Sequence, residues 1–169
     1  MSRTELSPYR RVVTGHDASG RAIVRSDAAF RTEAIASGDA AFSLVWTTPT
    51  VPVDNDDPVD GRERDAGLTL ERGSVIRVVD MLPGGISPMH RTNSLDYGIV
   101  LSGDVELELD DGVKTIVGPG SIIVQRGTMH RWRNPSDAVP CRIVFVLIEA
   151  SPVTVNGAPL AELKPEDVG

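Results

Sequence analysis

The sequence has little of what small secreted or aromatic-rich domains use to hold themselves together. It contains one cysteine, Cys141, with two tryptophans, two tyrosines and three phenylalanines. A single cysteine excludes an intramolecular disulfide. Stability must therefore come from an aliphatic core, which 169 residues with 40% hydrophobic side chains can form within one domain. We expect Cys141 to be buried and chemically inert.

Long hydrophobic runs and concentrated positive charge are also missing. No apolar stretch approaches the roughly 20 residues that a membrane helix needs, and residues 1–13 lack the apolar segment of a secretory signal. The net charge is −7, and the basic pairs Arg10/Arg11 and Arg131/Arg133 are too small to bind a phosphate backbone. We therefore expect a cytoplasmic protein with no membrane partner and no nucleic-acid partner.

The sequence is rich in turn-forming residues. Twelve prolines and sixteen glycines separate short apolar runs, a pattern that is typical of an all-β domain. Residues 105–110 alternate strictly between apolar and acidic side chains, as in a strand with one buried face. Asp111-Gly112 follows as a hairpin-turn signal.

These turn-forming residues and the apolar runs between them divide the chain into four parts. Residues 1–48 are predicted to form an N-terminal hairpin and strand extension, and residues 49–67, rich in proline and aspartate, an acidic loop. Residues 73–149 carry the densest strand pattern and are predicted to form the barrel. Residues 150–169 are a C-terminal tail with room for one short helical turn. The sequence leaves open whether the acidic loop covers a site.

Two motifs lie within residues 73–149. The first runs from Gly84 through five residues to His90, one residue to Thr92, three to Asp96 and six to Gly103. The second places Gln125, Gly127, His130 and Asn134 at the spacing x-x-Gly-x-x-His-x-x-x-Asn, with Gln125 opening it. Together they put two histidines and one carboxylate at fixed positions.

This pair of motifs resembles those of the cupin superfamily. In cupins the first motif has histidine where this chain has Thr92 and glutamate where it has Asp96, and the second has proline where it has Gln125. The resemblance implies an all-β double-stranded β-helix, the jelly-roll barrel of small single-domain cupins, carrying here an N-terminal hairpin extension. It also implies one site shared by His90, Asp96 and His130. The motifs are similar to a subgroup of bacterial and fungal cupins that includes dehydratase-like and tailoring enzymes.

The three residues allow two chemistries, which the sequence does not separate. Two imidazoles and one carboxylate are the ligand set of open iron and zinc sites. His90, Asp96 and His130 would then hold one divalent metal, namely zinc, iron or nickel. Alternatively the site is metal-free. A histidine beside a carboxylate is then the general base, and the second histidine protonates a departing hydroxyl.

Three further residues are candidates for binding a substrate. Thr92 lies two positions after His90 and so shares its face of an extended chain. Trp132 shares the face of His130 and offers a ring for stacking. Arg126 is a candidate for binding an oxyanion or carboxylate.

Three functions remain in competition. The leading hypothesis is an enzyme of the lyase or isomerase type that dehydrates or isomerises a small organic substrate. The second is a non-haem metal-dependent dioxygenase, and the third a ligand-binding cupin without turnover. Barrels of this kind often pair through an added N-terminal strand, so the resemblance also implies a homodimer. Fold alone does not decide among the functions.

Overall fold

The computed structural model describes residues 6–165, which are almost entirely strands and loops. The strands are β1 (Tyr9–His16), β2 (Ala22–Phe30), β3 (Glu33–Ala34), β4 (Ala40–Thr48), β5 (Ser74–Met81), β6 (Ser94–Ser102), β7 (Val105–Leu109), β8 (Lys114–Val117), β9 (Ile122–Arg126), β10 (His130–Arg133), β11 (Cys141–Glu149), β12 (Thr154–Val155) and β13 (Ala158–Pro159). Two short 3₁₀ turns cover Gly61–Glu63 and Asp110–Gly112. Residues 6–165 contain no helix that is long and apolar enough to cross a membrane.

Two antiparallel sheets form the barrel. The larger has the strand order β3-β4-β5-β11-β6-β9, and the smaller has the order β10-β7-β8. Neighbours in these sheets come from distant parts of the chain: β11, for example, pairs with both β5 and β6. The predicted all-β jelly-roll fold is confirmed.

The N-terminal hairpin is confirmed, but its boundary with the barrel is not where the sequence suggests. Strands β1 and β2 pair only with each other, as a separate two-stranded sheet. Residues 40–48, which we assigned to the extension, instead supply β4 to the large sheet between β3 and β5. Because this segment lies far from residue 73 in sequence, only the pairing with β5 reveals that it belongs to the barrel.

The acidic loop packs against the hairpin rather than lying free in solvent. Asp60 receives two hydrogen bonds from the Arg11 guanidinium, at 2.7 and 2.6 Å. Arg64 forms an ion pair with Asp57 within the loop. Residues 53–60, together with the hairpin and the end of β4, enclose a polar cavity of about 540 Å³. The loop therefore fastens the extension to β4.

The alternating segment forms the predicted strand, but both of its faces are covered. Val105 and Leu107 of β7 belong to the core, while Glu106 and Glu108, each 9% exposed, lie on the other face and bind Lys114 at 3.0 and 3.2 Å. The hairpin turn to β8 is made by Asp111 and Gly112, whose φ angles of 56° and 72° lie in the left-handed region. Glycine adopts that region without strain, and aspartate tolerates it.

The core lies between the two sheets. Its buried members come from β4, β5, β6, β7, β10 and β11: Ala40, Val79, Met81, Val100, Val105, Leu107, Trp132, Cys141 and Ile143. Burial, with the negative charges of Asp104 and Asp80 nearby, raises the pKa of the Cys141 thiol to about 12. Cys141 is therefore buried and protonated at neutral pH, as expected for an inert core thiol.

Residues 158–164 of the C-terminal tail are strand and loop, whereas Pro165 has a 3₁₀ conformation, so the predicted helical turn stays a prediction. Ala158–Pro159 pair with Thr154–Val155 as a short hairpin. Leu163 then bridges to Arg91 through two backbone hydrogen bonds of 2.8 and 2.9 Å. The tail thus folds back beside the segment that carries His90. Residues 166–169 lie outside the described part of the chain.

Candidate functional site

Backbone pairing brings the two motif histidines together. The amide of His90 donates to the carbonyl of His130 at 2.8 Å, and the amide of His130 donates back at 2.9 Å. This isolated antiparallel bridge joins the loop before β6 to the first residue of β10. The two imidazole rings are consequently only 4.1 Å apart between centroids.

Each ring has one nitrogen bound to a backbone carbonyl two residues before it in the chain. Nδ1 of His90 lies 2.9 Å from the carbonyl oxygen of Pro88, and Nδ1 of His130 lies 3.0 Å from that of Thr128. A carbonyl only accepts hydrogen bonds, so both Nδ1 atoms carry the proton. Each neutral ring therefore has its lone pair on Nε2.

Burial keeps both rings neutral. It lowers the pKa of His130 to about 3, with a further contribution from neighbouring His90, and the Thr128 carbonyl opposes the shift. Burial also lowers the pKa of His90, against the opposing effect of the Pro88 carbonyl. At neutral pH both imidazoles are consequently uncharged.

Asp96 is the end of a row of hydrogen-bonded side chains that begins with two hydroxyl groups. Thr92, Ser94 and Asp96 lie on one face of the extended chain that enters β6, since they are two residues apart. The Thr92 and Ser94 hydroxyl oxygens are 2.8 Å apart, and the Ser94 hydroxyl donates to Asp96 Oδ1 at 2.5 Å. Burial raises the pKa of Asp96, while the bonds from Ser94 and Gln125 partly oppose that rise.

Gln125 of β9 links the carboxylate to one histidine. Its side-chain nitrogen lies 3.1 Å from Asp96 Oδ2 and 2.8 Å from Nε2 of His130, so it donates one proton to each. The lone pair of His130 is therefore occupied, whereas Nε2 of His90 has no hydrogen-bond partner among residues 6–165. Of the two imidazoles, only that of His90 has an Nε2 lone pair that is available to accept a proton.

These groups lie on the wall of a mainly apolar cavity of about 540 Å³ between the two sheets. Five of the six candidate residues line it: His90, Thr92, Asp96, His130 and Trp132. Trp132 stands edge-on to His130, with 5.6 Å between ring centroids, and packs against Phe145. Apolar side chains from β4, β5 and β11 form much of the remaining wall, including Phe42, Val79, Met81, Phe145 and Leu147.

Arg126 does not join the others, which corrects the prediction that it binds substrate. It is exposed, and it follows Gln125 on a regular strand, so its side chain leaves the opposite face of the sheet. The arginine on the cavity wall is Arg77 of β5. Sequence reasoning also overlooked Ser94 and the role of Gln125, although the loss of proline at position 125 was a visible signal.

Comparison with known proteins identifies the family. The Cupin domain model of the Cupin_2 family matches residues 77–147. The cupin-domain-containing oxidoreductase fogC of Aspergillus ruber is 39% identical over 158 residues, which are 90% of this chain and 78% of that protein. The chain belongs to the cupin family.

The chain is also similar to a biosynthesis-cluster protein and, in fold, to a solved cupin domain. The Phomopsin biosynthesis cluster protein C′ of Diaporthe leptostromiformis is 41% identical over 160 residues, covering 90% of this chain and 85% of the relative. The solved cupin domain of Schizosaccharomyces pombe Cnp3 superposes with a TM-score of 0.51 at 10% identity, covering 83% of this chain and 87% of that one. At this identity the second likeness concerns the fold alone.

The residues of this cupin do not fit the predicted metal-ligand set. Within residues 6–165 no group of three or more histidine, cysteine, aspartate or glutamate side chains is placed to hold a metal ion. The Gln125 amide nitrogen bonds to both Asp96 Oδ2 and Nε2 of His130, which occupies two atoms that a metal would need. Asp96, Gln125 and His130 thus form one hydrogen-bonded group, and the His90 imidazole lies beside it with 4.1 Å between the ring centroids of the two histidines.

Proposed function

We propose that this cupin is an enzyme that moves a proton on a small, largely apolar organic substrate, in a dehydration or isomerisation of the lyase or isomerase type. One observation carries the proposal: Nε2 of His90 is an unpartnered lone pair on the wall of an apolar cavity, held in its tautomer by the Pro88 carbonyl. A base for carbon acids needs such a lone pair, oriented and uncharged, at the pH of the reaction.

His90 serves as the single base in this proposal. It removes the proton from carbon next to a carbonyl group, and the resulting imidazolium returns that proton. In an isomerisation the proton goes to another carbon. In a dehydration it goes to the departing hydroxyl, which leaves as water. His130 is unsuited to the acid role because its pKa of about 3 leaves it unprotonated near neutral pH.

The remaining polar groups position the reacting parts. His130 packs against His90 at 4.1 Å between ring centroids and is itself fixed by Gln125. Asp96 lies at the end of the hydrogen-bonded group that Gln125 forms with His130, so it helps to hold Gln125 and thereby His130 in place. The apolar wall excludes water, which strengthens these interactions during the reaction.

The proposal is tested by solvent exchange. Wild-type protein is incubated in deuterium oxide with a panel of 3-hydroxy and unsaturated carbonyl compounds, and NMR measures deuterium incorporation beside the carbonyl. Mass spectrometry detects loss of water in parallel. His90→Gln should reduce the rate at least about a hundredfold, the usual contribution of a general base.

The control for this experiment is His16→Gln, which alters the exposed histidine at the end of β1 and should leave the rate unchanged. Full activity of His90→Gln on any compound that the wild type converts would contradict the proposal. So would a panel on which the wild type exchanges no proton.

A second candidate is an oxidation of the substrate. Its support is the printed name of the 39% identical relative and of a second one, the oxidoreductase virC of Hypocrea virens, 36% identical over 152 residues. Metal analysis of protein purified without chelators, together with oxygen uptake during turnover, tests it. Substrate-dependent oxygen uptake would show that the reaction is an oxidation and not a proton transfer. Turnover under anaerobic conditions would exclude an oxidation by oxygen.

A further inference from the structure

Arg77 is a half-buried cation on the wall of the histidine cavity, and its Nε atom is buried. It occupies an inward-facing position of β5, two residues before Val79 and four before Met81, which line the same wall. Among the described residues it is the only arginine or lysine that lines this cavity. Its guanidinium carbon is 6.0 Å from the ring centroid of Phe42.

No carboxylate neutralises this cation. Nη2 of Arg77 donates to the carbonyls of Gly67 and Leu68, and Nε is buried without any partner. The cavity does contain two carboxylates, Asp39 and Asp96, but neither forms an ion pair with Arg77 within residues 6–165. Asp39 is bound by Ser37, and Asp96 by Ser94 and Gln125.

Two other arginines with largely buried side chains do have a carboxylate partner. Arg11 meets Asp60 with two hydrogen bonds, and Arg142 meets Asp80 with two of 2.7 Å each. Taking a charge out of water is costly unless it is paired. Burial accordingly lowers the pKa of Arg77, and no neighbouring charge opposes that effect. Two backbone carbonyls and the Phe42 ring offset part of this cost at Arg77, and a bound anion would supply the missing opposite charge.

We propose that Arg77 is the anion-binding residue of this cavity, and that the ligand is an organic anion with an apolar body, such as an unsaturated or aromatic carboxylate. The inference rests on the proposed function, because it names the substrate class of the same site. Guanidinium pairs with carboxylate in short, charge-assisted hydrogen bonds. The carboxylate would thus replace the missing counter-ion.

The dimensions of the sheet agree with such a ligand. Arg77 pairs with Phe145 of β11, and Asp96 of β6 pairs with Leu147 of β11, so one strand separates β5 from β6. Two strand spacings amount to about 10 Å. This is the lateral separation of the strands that carry Arg77 and Asp96. A carboxylate bound at Arg77 would place its apolar body against Phe145 and Leu147 of the intervening strand, which line the same cavity.

A purely structural role must be separated from this one, since Arg77 also holds the carbonyls of Gly67 and Leu68. Arg77→Gln keeps a side-chain N–H donor for those carbonyls but removes the charge. Arg77→Lys keeps the charge. An anion site needs the charge, whereas a loop anchor needs only the donor.

The experiment measures binding of two probes by isothermal titration calorimetry: trans-cinnamate and its neutral isostere trans-cinnamamide. The wild type should bind cinnamate at least tenfold more tightly than the amide. Arg77→Lys should retain a preference of severalfold, and Arg77→Gln should reduce it to less than twofold while its Tm stays within a few degrees of the wild type. Arg21→Gln, an exposed arginine in the β1–β2 turn, is the matched control and should bind like the wild type.

Two results would overturn the anion site: a wild type that binds cinnamate no better than cinnamamide, or an Arg77→Gln variant that keeps the full preference. His90→Gln distinguishes this inference from the proposed function, because it should keep the anion preference while losing proton exchange. Lost preference in Arg77→Gln with full exchange in His90→Gln would refute the proton-transfer function alone. Kept preference in Arg77→Gln with lost exchange in His90→Gln would refute the anion site alone.

Discussion

At the scale of single residues, the site is defined by two imidazoles that the protein keeps uncharged. His130 is 2% exposed and lies 4.1 Å from His90 between ring centroids, so protonating either ring places a charge in an apolar environment beside the other ring. Both Nδ1 protons are already committed to backbone carbonyls. The reactivity of Nε2 on His90 thus depends on burial.

This electrostatic arrangement predicts acid sensitivity. His130 has an ordinary pKa near 6.5 when unfolded and about 3 when folded. Between those pH values the unfolded chain binds more protons, so the free energy of unfolding falls as pH decreases, by about 5 kcal/mol at full extent. His90 contributes in the same direction. Asp96, whose folded pKa is raised, opposes them: its stabilising contribution is present at low pH and is lost as pH rises.

Urea unfolding from pH 7 to pH 4 measures this effect. The free energy of unfolding of His130→Gln should depend less steeply on pH than that of the wild type, because the residue with the largest shift no longer titrates. His16→Gln should follow the wild-type slope. Parallel slopes for His130→Gln and the wild type would show that His130 is not held neutral.

At the scale of elements, β5 serves two purposes through its two faces. Arg77, Val79 and Met81 face the cavity. Asp80 lies on the opposite face of the sheet, where it is covered and only 1% exposed. Asp80 receives two bonds of 2.7 Å from Arg142 on β11 and one of 2.6 Å from Thr32. This cluster ties the end of the N-terminal extension to the central strands and lies outside the cavity.

Removing Asp80 should therefore be costly. Asp80→Ala leaves the Arg142 guanidinium without its buried partner, and breaking such a pair costs roughly 3–5 kcal/mol. Asp27→Ala is the control, since it removes the exposed partner of Arg10 and should change stability little. Urea unfolding at pH 7 compares the two variants. Equal, small losses for both would contradict a supporting role for the Asp80–Arg142 pair.

At the scale of the whole molecule, the outer face of the large sheet is unusually apolar at the β6–β9 edge. Tyr97 pairs with Val124, and Ile99 pairs with Ile122, so these side chains lie on one face. Tyr97, Leu101, Ile122 and Val124 are all exposed, with Ile122 at 69%. Apolar patches of this kind mark association surfaces. The homodimer expected to pair through an N-terminal strand stays a prediction, and this apolar face is a second candidate for its interface.

Light scattering tests the prediction directly. The wild type should have twice the chain mass of 18.1 kDa. The double variant Ile122→Lys/Val124→Lys should have the single-chain mass, because it places two charges in the apolar face. Val113→Lys alters an equally exposed valine beside the β7–β8 turn and should remain dimeric. A wild type of single-chain mass would refute the homodimer.

The sequence by itself determined the elements and the identity of most of the site. Strict alternation in residues 105–110 follows from placing one face of a strand in the apolar core, and Asp111-Gly112 follows from the φ angles of a tight turn. Motif spacing singled out His90, Thr92, Asp96 and His130, and the strand face shared with His130 singled out Trp132. All five line one cavity.

Only the tertiary structure decided which faces of the strands are inside and which residues meet. The residues around β9 are apolar on both faces of the strand, so the local sequence does not show that Gln125 points inward and Arg126 outward. The pairing of Gln125 with Asp96 on β6 decides which side chains of β9 face the cavity. The bridge between His90 and His130 joins residues far apart in sequence. The position of Gln125 between Asp96 and His130, and the cation Arg77 on the cavity wall, likewise depend on long-range strand pairing, which local residue patterns do not encode.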